Sequence, residues 1–77
     1  MFSYNIEKNA NKSAFDNTCV LIEESLKNAK KEKLLQDVDG TTIQIYALPD
    51  GKIKVFNDYE VDAVYVDSEI DLKEILG

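Results

Sequence analysis

The sequence predicts one α+β domain, residues 1–77, in which a long amphipathic helix packs on a small antiparallel sheet of three or four strands and a short helix follows at the C-terminal end. Apolar residues recur at helical spacing between Ser13 and Lys31. Two β-rich segments flank a turn at Pro49-Asp50-Gly51. A chain of 77 residues suffices for one compact domain and is too short for two.

The predicted order of elements is β-α-β-β-β-α. The first strand is the uncertain one, because its alternation of Phe2, Tyr4 and Ile6 with polar residues is short and terminal. The long helix is predicted over residues 13–31, where the buried stripe has spacings of 4, 3, 4 and 3 and consists of Phe15, Cys19, Ile22, Leu26 and Ala29. Ser13 followed by Asp16 is a variant of the capping box. Lysines near the predicted end suit the helix dipole.

Residues 33–38 fit either the end of this helix or a short strand, and the helix end followed by a turn at Asp39-Gly40 is the preferred interpretation. Residues 41–48 and 52–56 then alternate as two strands of a hairpin. A second tight turn at residues 56–58 is predicted to lead into a third strand of the meander. The final segment, residues 68–76, returns to helical spacing with Asp67, Ser68 or Asp71 as its cap.

The residue inventory argues against catalysis. Histidine is absent, and the three glycines form no phosphate-binding loop. The segment Asp37-Val38-Asp39-Gly40 resembles the start of a calcium-binding EF-hand loop, but its glycine comes two positions too early. We therefore predict a protein that is not an enzyme, with no cofactor, no catalytic residue and no metal ligand. The lone Cys19 is predicted to be a small apolar core residue.

The net charge of −6 is unevenly distributed. Residues 1–36 hold six lysines and five acids, a net of +1, whereas residues 37–77 hold three lysines and ten acids, a net of −7. Such a surface repels nucleic acids and anionic membranes, and the chain contains no arginine to contact them. No apolar run approaches the roughly 20 residues of a membrane span, and no secretory signal is visible. We expect a cytoplasmic protein.

Most of the acidic excess lies in residues 58–71, which contain six carboxylates and no basic side chain. In the predicted third strand, Asp58, Glu60 and Asp62 project on one face at intervals of about 6.6 Å. The predicted partner-binding residues are Asp58, Tyr59, Glu60, Asp62, Asp67, Glu69 and Asp71, with Asp37, Asp39 and Asp50 as further candidates and Tyr46 as a second possible aromatic anchor. Ordinary solvated or helix-capping carboxylates are the alternative interpretation.

This surface suggests a small interaction protein that docks on a basic site of a partner protein and blocks it. The partner would be a basic protein such as a nuclease or another nucleic-acid-binding protein, and the carboxylates would imitate a nucleic acid. The alternative function is a structural module that homodimerises or joins a complex through apolar surface, using either the stripe from Phe15 to Ala29 or an unpaired sheet edge.

Overall fold

The computed structural model describes residues 1–77 as one six-stranded antiparallel sheet and two helices. The elements are β1 (Phe2–Glu7), α1 (Lys12–Ser25), β2 (Lys30–Lys31), β3 (Leu35–Gln36), β4 (Thr42–Leu48), β5 (Gly51–Asp58), β6 (Ala63–Ser68) and α2 (Lys73–Leu76). The strands lie in the order β1-β6-β5-β4-β2, and β3 also pairs with β4. The predicted α+β class is confirmed, and the first segment is a strand, as the alternation of its residues indicated.

One face of the sheet carries the core. Side chains alternate between the faces of a strand, so the register that aligns Tyr46 with Ile53 and Val55 with Val66 gathers apolar residues on the side that α1 covers. The buried apolar core consists of Phe15, Cys19, Ile22, Tyr46, Ile53, Val55, Val64, Val66 and Leu72. Burial of each aliphatic side chain contributes about 1.5–3 kcal/mol. The predicted burial of Cys19 is confirmed, and burial raises the pKa of its thiol.

The long helix is shorter than predicted. It begins at Lys12 and ends at Ser25, because the side chain of Asn11, rather than Ser13, accepts a hydrogen bond from the Ala14 N–H at 3.1 Å and caps it. At the other end the Ala29 N–H donates to the Leu26 carbonyl at 3.0 Å, which turns the chain back to the sheet. The predicted end at Lys31 is therefore wrong, although both Leu26 and Ala29 still pack against the core.

The number of strands is also larger than the predicted three or four. Lys30 and Lys31 pair with Ala47 and Tyr46 as β2, where their backbone groups gain hydrogen-bond partners that an exposed helix end lacks. The preferred helix-end interpretation of residues 33–38 is wrong, since Leu35 and Gln36 form β3. The turn at Asp39-Gly40 is confirmed, and Gly40 has a positive φ of 93° there.

The meander of β4, β5 and β6 is confirmed, but its second turn lies later than predicted. β5 continues through residues 56–58, because Phe56 stacks on Tyr65 across the strands and Asn57 is buried beneath the start of α1. The Asn57 side chain accepts a hydrogen bond from the Asn11 N–H at 2.8 Å. The turn consequently falls at residues 59–62, with Asp62 in the left-handed region at φ 58°.

The turn at Pro49 and Asp50 is confirmed, whereas the C-terminal helix is shorter than the predicted residues 68–76, because Ser68 still belongs to β6 and α2 begins at Lys73. β4 and β5 are joined by Pro49 and Asp50, with Leu48 paired to Gly51. A Cβ at Gly51 would lie 2.7 Å from the Cβ of Glu69, so this position requires glycine. The N-cap of α2 is Leu72, and no side chain caps the helix, so none of the predicted caps Asp67, Ser68 and Asp71 is the N-cap. Asp71 nevertheless accepts a hydrogen bond from the Lys73 N–H at 2.9 Å. None of the helices is long and apolar enough to cross a membrane.

Candidate functional site

The predicted partner-binding residues fall into two separate groups. Residues 58–62 form the turn before β6, whereas residues 67–71 end β6 and lead to α2. Residues 63–66 of β6 lie between the two groups and place Asp62 and Asp67 about 17 Å apart along the strand. The predicted strand with Asp58, Glu60 and Asp62 in one row is therefore wrong. We name the end of the sheet that holds residues 58–62 the acidic end, and the end that holds residues 67–71 the opposite end.

At the opposite end, β5 places lysines among the carboxylates. Lys54 lies directly across from Asp67 in the register of β5 and β6, and Lys52 shares a shallow depression of about 140 Å³ with Lys54, Asp67 and Glu69. The carboxylates are also hydrogen-bonded: Asp67 accepts from the Ser3 hydroxyl at 2.9 Å, and Glu69 accepts from the Lys52 N–H at 2.8 Å. These acids therefore belong to a surface of mixed charge.

Asp71 is also engaged at the opposite end. Its carboxylate accepts hydrogen bonds from the Tyr4 hydroxyl at 3.0 Å and from the Lys73 N–H at 2.9 Å. The Tyr4 hydroxyl accepts in turn from the Leu72 N–H at 2.7 Å. Asp71 thus connects β1 to α2 and has a structural role. Asp50, in the hairpin turn between β4 and β5, lies at this end as well.

The acidic end gathers carboxylates from three distant parts of the sequence. The turn before β4 and the turn between β5 and β6 lie side by side, because Thr42 pairs with Asn57 and Asn57 pairs with Val64. The start of α1 is held above them by the bond from Asn11 to Asn57. The carboxylates brought to this end include Asp16, Asp37, Asp39, Asp58, Glu60 and Asp62, and Glu7 at the end of β1 lies across from Val64.

Two of these carboxylates build the turn between β5 and β6. Asp58 accepts from the N–H groups of Glu60 and Val61 at 2.9 and 3.2 Å and from the Tyr65 hydroxyl at 2.8 Å. The bond from Tyr65 holds the pKa of Asp58 below its ordinary value of 3.8. Burial, followed by the Asp58 carboxylate, raises the pKa of Tyr65 to about 12. Asp58 therefore stabilises the turn between β5 and β6.

Asp62 connects this turn to the loop before α1. Its carboxylate accepts from the Ala10 N–H at 2.8 Å and from the Asn9 side chain at 2.9 Å. These bonds, the one from Ala10 first, lower the pKa of Asp62 below its ordinary value of 3.8. Asp58 and Asp62 thus have structural partners, which the sequence-based row of three carboxylates did not anticipate.

The remaining carboxylates of the acidic end are directed to solvent. Glu60 is exposed and accepts no hydrogen bond from the protein. Asp37 and Asp39 each accept only from a backbone N–H of their own turn, at Val38 and Thr41. Asp16 pairs with Lys12 at 2.6 Å, and both side chains are largely exposed. Asp37, Asp39 and Glu60 are therefore the carboxylates best placed to contact another molecule.

Two exposed valines lie between these acids. Val38 is flanked by Asp37 and Asp39 in one turn, and Val61 is flanked by Glu60 and Asp62 in the other. Val38 is fully exposed, and Val61 is 62% exposed. Sequence reasoning overlooked both valines, although the shared acid-valine-acid pattern in two turns was visible. The two turns place the same combination of an apolar side chain and carboxylates at one end of the sheet.

Tyr59 lies between the two turns. Its N–H donates to the Thr41 hydroxyl at 3.0 Å, and its ring packs on Gly40, where a Cβ would lie 3.5 Å from the ring. The ring is 48% exposed and lines a cleft of about 400 Å³ together with Phe15, Leu34, Asp39 and Lys12 among others. Tyr59 is therefore a rigid aromatic residue at the centre of the acidic end.

Tyr46, the other predicted anchor, belongs to the core. It is fully buried, and its hydroxyl donates a hydrogen bond to Glu23 on α1. That bond lowers the pKa of Glu23, whose carboxylate also lies 3.2 Å from the Lys31 ammonium. Tyr46 thus connects α1 to the sheet and is inaccessible to a partner.

The acidic end presents carboxylates and apolar side chains to solvent. The fold contains no group of three or more Asp, Glu or Cys side chains that could hold a metal ion. The two carboxylates with lowered pKa values, Asp58 and Asp62, are occupied by hydrogen bonds that stabilise their ionised forms. Comparison of the chain with protein-family models, with curated proteins and with solved structures found no match. The functional assignment therefore rests on the geometry of the site.

Proposed function

We propose that this protein is a cytoplasmic interaction protein, without catalytic activity, that docks its acidic end on a basic site of a partner protein and blocks that site. The observation that supports this proposal is the meeting of two acid-valine-acid turns beside the half-exposed ring of Tyr59. Protein interfaces combine an apolar or aromatic centre with a polar rim. The valines and Tyr59 supply such a centre, and Asp37, Asp39 and Glu60 supply the rim.

The charge of this end favours a basic partner. Lys12 is the one lysine that lines the cleft, and it is already paired with Asp16. The solvent-directed carboxylates therefore add to one another's field, which accelerates the approach of a positively charged surface. Binding of this kind weakens as salt screens the charges over a Debye length of about 8–10 Å.

We infer the class of the partner from the charge of this end. A site that normally holds the phosphates of a nucleic acid is basic, so an end with several solvent-directed carboxylates fits it by charge. The partner would accordingly be a nuclease or another nucleic-acid-binding protein. Such a partner should release its nucleic acid when this protein binds, and an excess of nucleic acid should compete with the complex.

The test uses two variants of the full chain with the same change of charge. Asp37→Asn/Asp39→Asn/Glu60→Gln removes three carboxylates from the acidic end, and the new amide oxygens still accept the turn hydrogen bonds of residues 37 and 39. Asp50→Asn/Glu69→Gln/Glu74→Gln is the matched control at the opposite end. Each protein, immobilised, is exposed to native cytoplasm at low and at high salt.

We expect the wild-type protein and the control variant to retain the same basic protein at low salt and to release it at high salt. The acidic-end variant should bind that partner about 5- to 30-fold more weakly, since rim charges contribute about 0.2–1 kcal/mol each and about 1–2 kcal/mol together. Equal retention by both variants, measured afterwards with the purified partner, would contradict the proposal. Loss of binding in the control alone would place the interface at the opposite end.

A further inference from the structure

The two edges of the sheet differ in how they are protected against pairing with another chain. One edge consists of β2 and β3, which have two residues each and are joined by a segment containing Lys33. β2 itself is Lys30–Lys31. Short strands and lysines are the usual means by which proteins prevent a sheet edge from pairing. This edge is therefore protected.

The other edge, β1, lacks this protection. It is six residues long, and the segment from Phe2 to Ile6 contains no charge and no proline. Its residues pair with β6 on one side only, since β1 is terminal in the strand order. Its only irregularity is a bulge between Asn5 and Glu7. The outward backbone groups of β1 thus remain available to another extended strand.

We propose that β1 pairs with β1 of a second copy of this chain, in an antiparallel manner across a twofold axis perpendicular to the sheet. An antiparallel edge is complementary to itself, because the N–H groups of each copy donate hydrogen bonds to carbonyl oxygens of the other copy. The helices of the two copies then lie on the same face of one continuous sheet. The segment from Phe2 to Ile6 is uncharged, so its pairing brings no like charges together. Pairing of two copies of β2 would instead bring lysines together.

The side chains of β1 support this occupant. Phe2, Tyr4 and Ile6 lie on the helix-covered face, and Phe2 is 42% exposed. A register must pair residues of the same face, and the registers that align most of the segment from Phe2 to Ile6 place Phe2 opposite either Tyr4 or Ile6 of the second copy. Cross-strand pairs of an aromatic residue with an aromatic or β-branched residue stabilise a sheet. Dimerisation therefore covers the Phe2 ring, which is partly exposed in the single chain.

The contact is small, and this determines the strength of the dimer. A single strand pair buries far less than the roughly 800 Å² per partner of a stable interface, so we expect dissociation constants on the order of 100 µM. Two chains of charge −6 also repel each other, and salt reduces that repulsion. Dimerisation should therefore strengthen with salt, whereas docking of the acidic end on a basic partner should weaken. Failure of one proposal is thus distinguishable from failure of the other.

The dimer would present its two acidic ends in opposite directions. The twofold axis reverses the direction of β1, so the end of the sheet near Glu7 in one copy lies farthest from the same end in the other. Both acidic ends stay accessible. The protected edge formed by β2 and β3 then ends the assembly at two chains, because no second edge is open to pairing.

The test compares three full-length proteins by sedimentation equilibrium from about 10 µM to about 1 mM, around the expected dissociation constant. Ser3→Lys/Asn5→Lys places lysines opposite one another in either of the two registers, and a lysine at position 3 can pair with Asp67 within its own chain. Ser13→Lys/Asn17→Lys adds the same charge on exposed positions of α1. Amide hydrogen exchange of the wild-type β1 is followed over the same concentrations.

We expect a concentration-dependent dimer for the wild-type protein and the α1 control, and dimerisation at least about tenfold weaker for the β1 variant. Backbone protection of β1 should rise with concentration, which tests the proposal even if the β1 variant does not fold. A monomer throughout would overturn the proposal. So would a dimer that the β1 lysines leave unchanged, since it would point instead to the uncovered sheet face that carries Ile43, Phe56 and Tyr65.

Discussion

The acidic end and the opposite end of the sheet contain similar carboxylates in very different surroundings. At the opposite end, β5 places Lys52 and Lys54 beside Asp67 and Glu69. At the acidic end the neighbouring turn supplies further acids, and Glu60 forms no salt bridge. A uniformly acidic stretch of the sequence thus becomes one surface of mixed charge and one mainly acidic surface. The difference shows that the neighbouring strand, and not the local sequence, determines the charge of a site.

The ends also differ in what their carboxylates hold together. Asp58 and Asp62 support the turn of the acidic end through backbone N–H groups and a tyrosine hydroxyl. At the opposite end, Asp71 connects β1 to α2, and the fully buried Ser68 accepts from the Ile70 N–H and donates to the Ile70 carbonyl. The stability of the acidic end should therefore depend on the ionisation of Asp58 and Asp62, whose pKa values are lowered by their hydrogen bonds.

The largest expected effect on folding is that of Asp58→Ala. It removes the acceptor of three hydrogen bonds, so we expect a loss of about 1.5–3 kcal/mol in the free energy of unfolding. Urea denaturation at neutral pH measures it. The control is Glu60→Ala two residues away, which should change stability by less than about 0.5 kcal/mol because the Glu60 side chain has no partner. Equal effects of the two substitutions would show that Asp58 does not support the turn.

A smaller effect concerns acid sensitivity. The folded-state pKa of Asp62 lies below its ordinary value of 3.8, so its ionised form stabilises the fold above that pH. The contribution is lost as the pH falls below about 3.8 towards the lower folded value. Asp62→Asn keeps a side chain that tolerates a positive φ but removes the titration.

Urea denaturation of Asp62→Asn at several pH values tests this expectation. The variant should lose less stability than the wild-type protein between neutral pH and pH values below 3.8. Glu60→Gln removes a carboxylate without hydrogen bonds and serves as the control, which should follow the wild-type protein. A pH dependence of Asp62→Asn identical to that of the wild-type protein would contradict an ionic role for Asp62 in the turn.

The smallest effect on stability is expected for Val38→Ser/Val61→Ser. Both side chains are exposed, so the free energy of unfolding should change by less than about 0.5 kcal/mol. Binding of the partner should nevertheless weaken about tenfold or more, because the apolar centre of the acidic end is lost. Val20→Ser, an exposed apolar position on α1, is the control for binding. Unchanged affinity would show that the two valines do not contribute to the interface.

Several features of the fold could be predicted because short-range patterns decide them. The hairpin follows from Pro49 to Gly51, and the buried stripe of α1 follows from the spacing of Phe15, Cys19 and Ile22. The early end of α1 could not be predicted, because Lys30 and Lys31 leave the helix to pair with β4, a strand that begins eleven residues after Lys31. Long-range backbone pairing outweighed the local preference there.

The candidate site was predictable only in part, for the same reason. Glu60 and Tyr59 were among the predicted residues and lie at the acidic end, as do the further candidates Asp37 and Asp39. The turn that exposes them was misplaced, because the packing of Asn57 under the start of α1 extends β5 by two residues beyond Phe56. A buried amide with a partner 46 residues away leaves no short-range pattern.

The sequence by itself determined the α+β class, the apolar residues available for a core, the excess of acids in the second half, and the lack of histidine. These are properties of composition and of short-range periodicity. Only the tertiary structure decided where the charge lies. Strand pairing brings β5 lysines to one group of acids and a second acidic turn to the other, and it leaves β1 as the open edge. Such neighbours are set by register and burial across the whole sheet, because side chains far apart in sequence meet only once the backbone is paired.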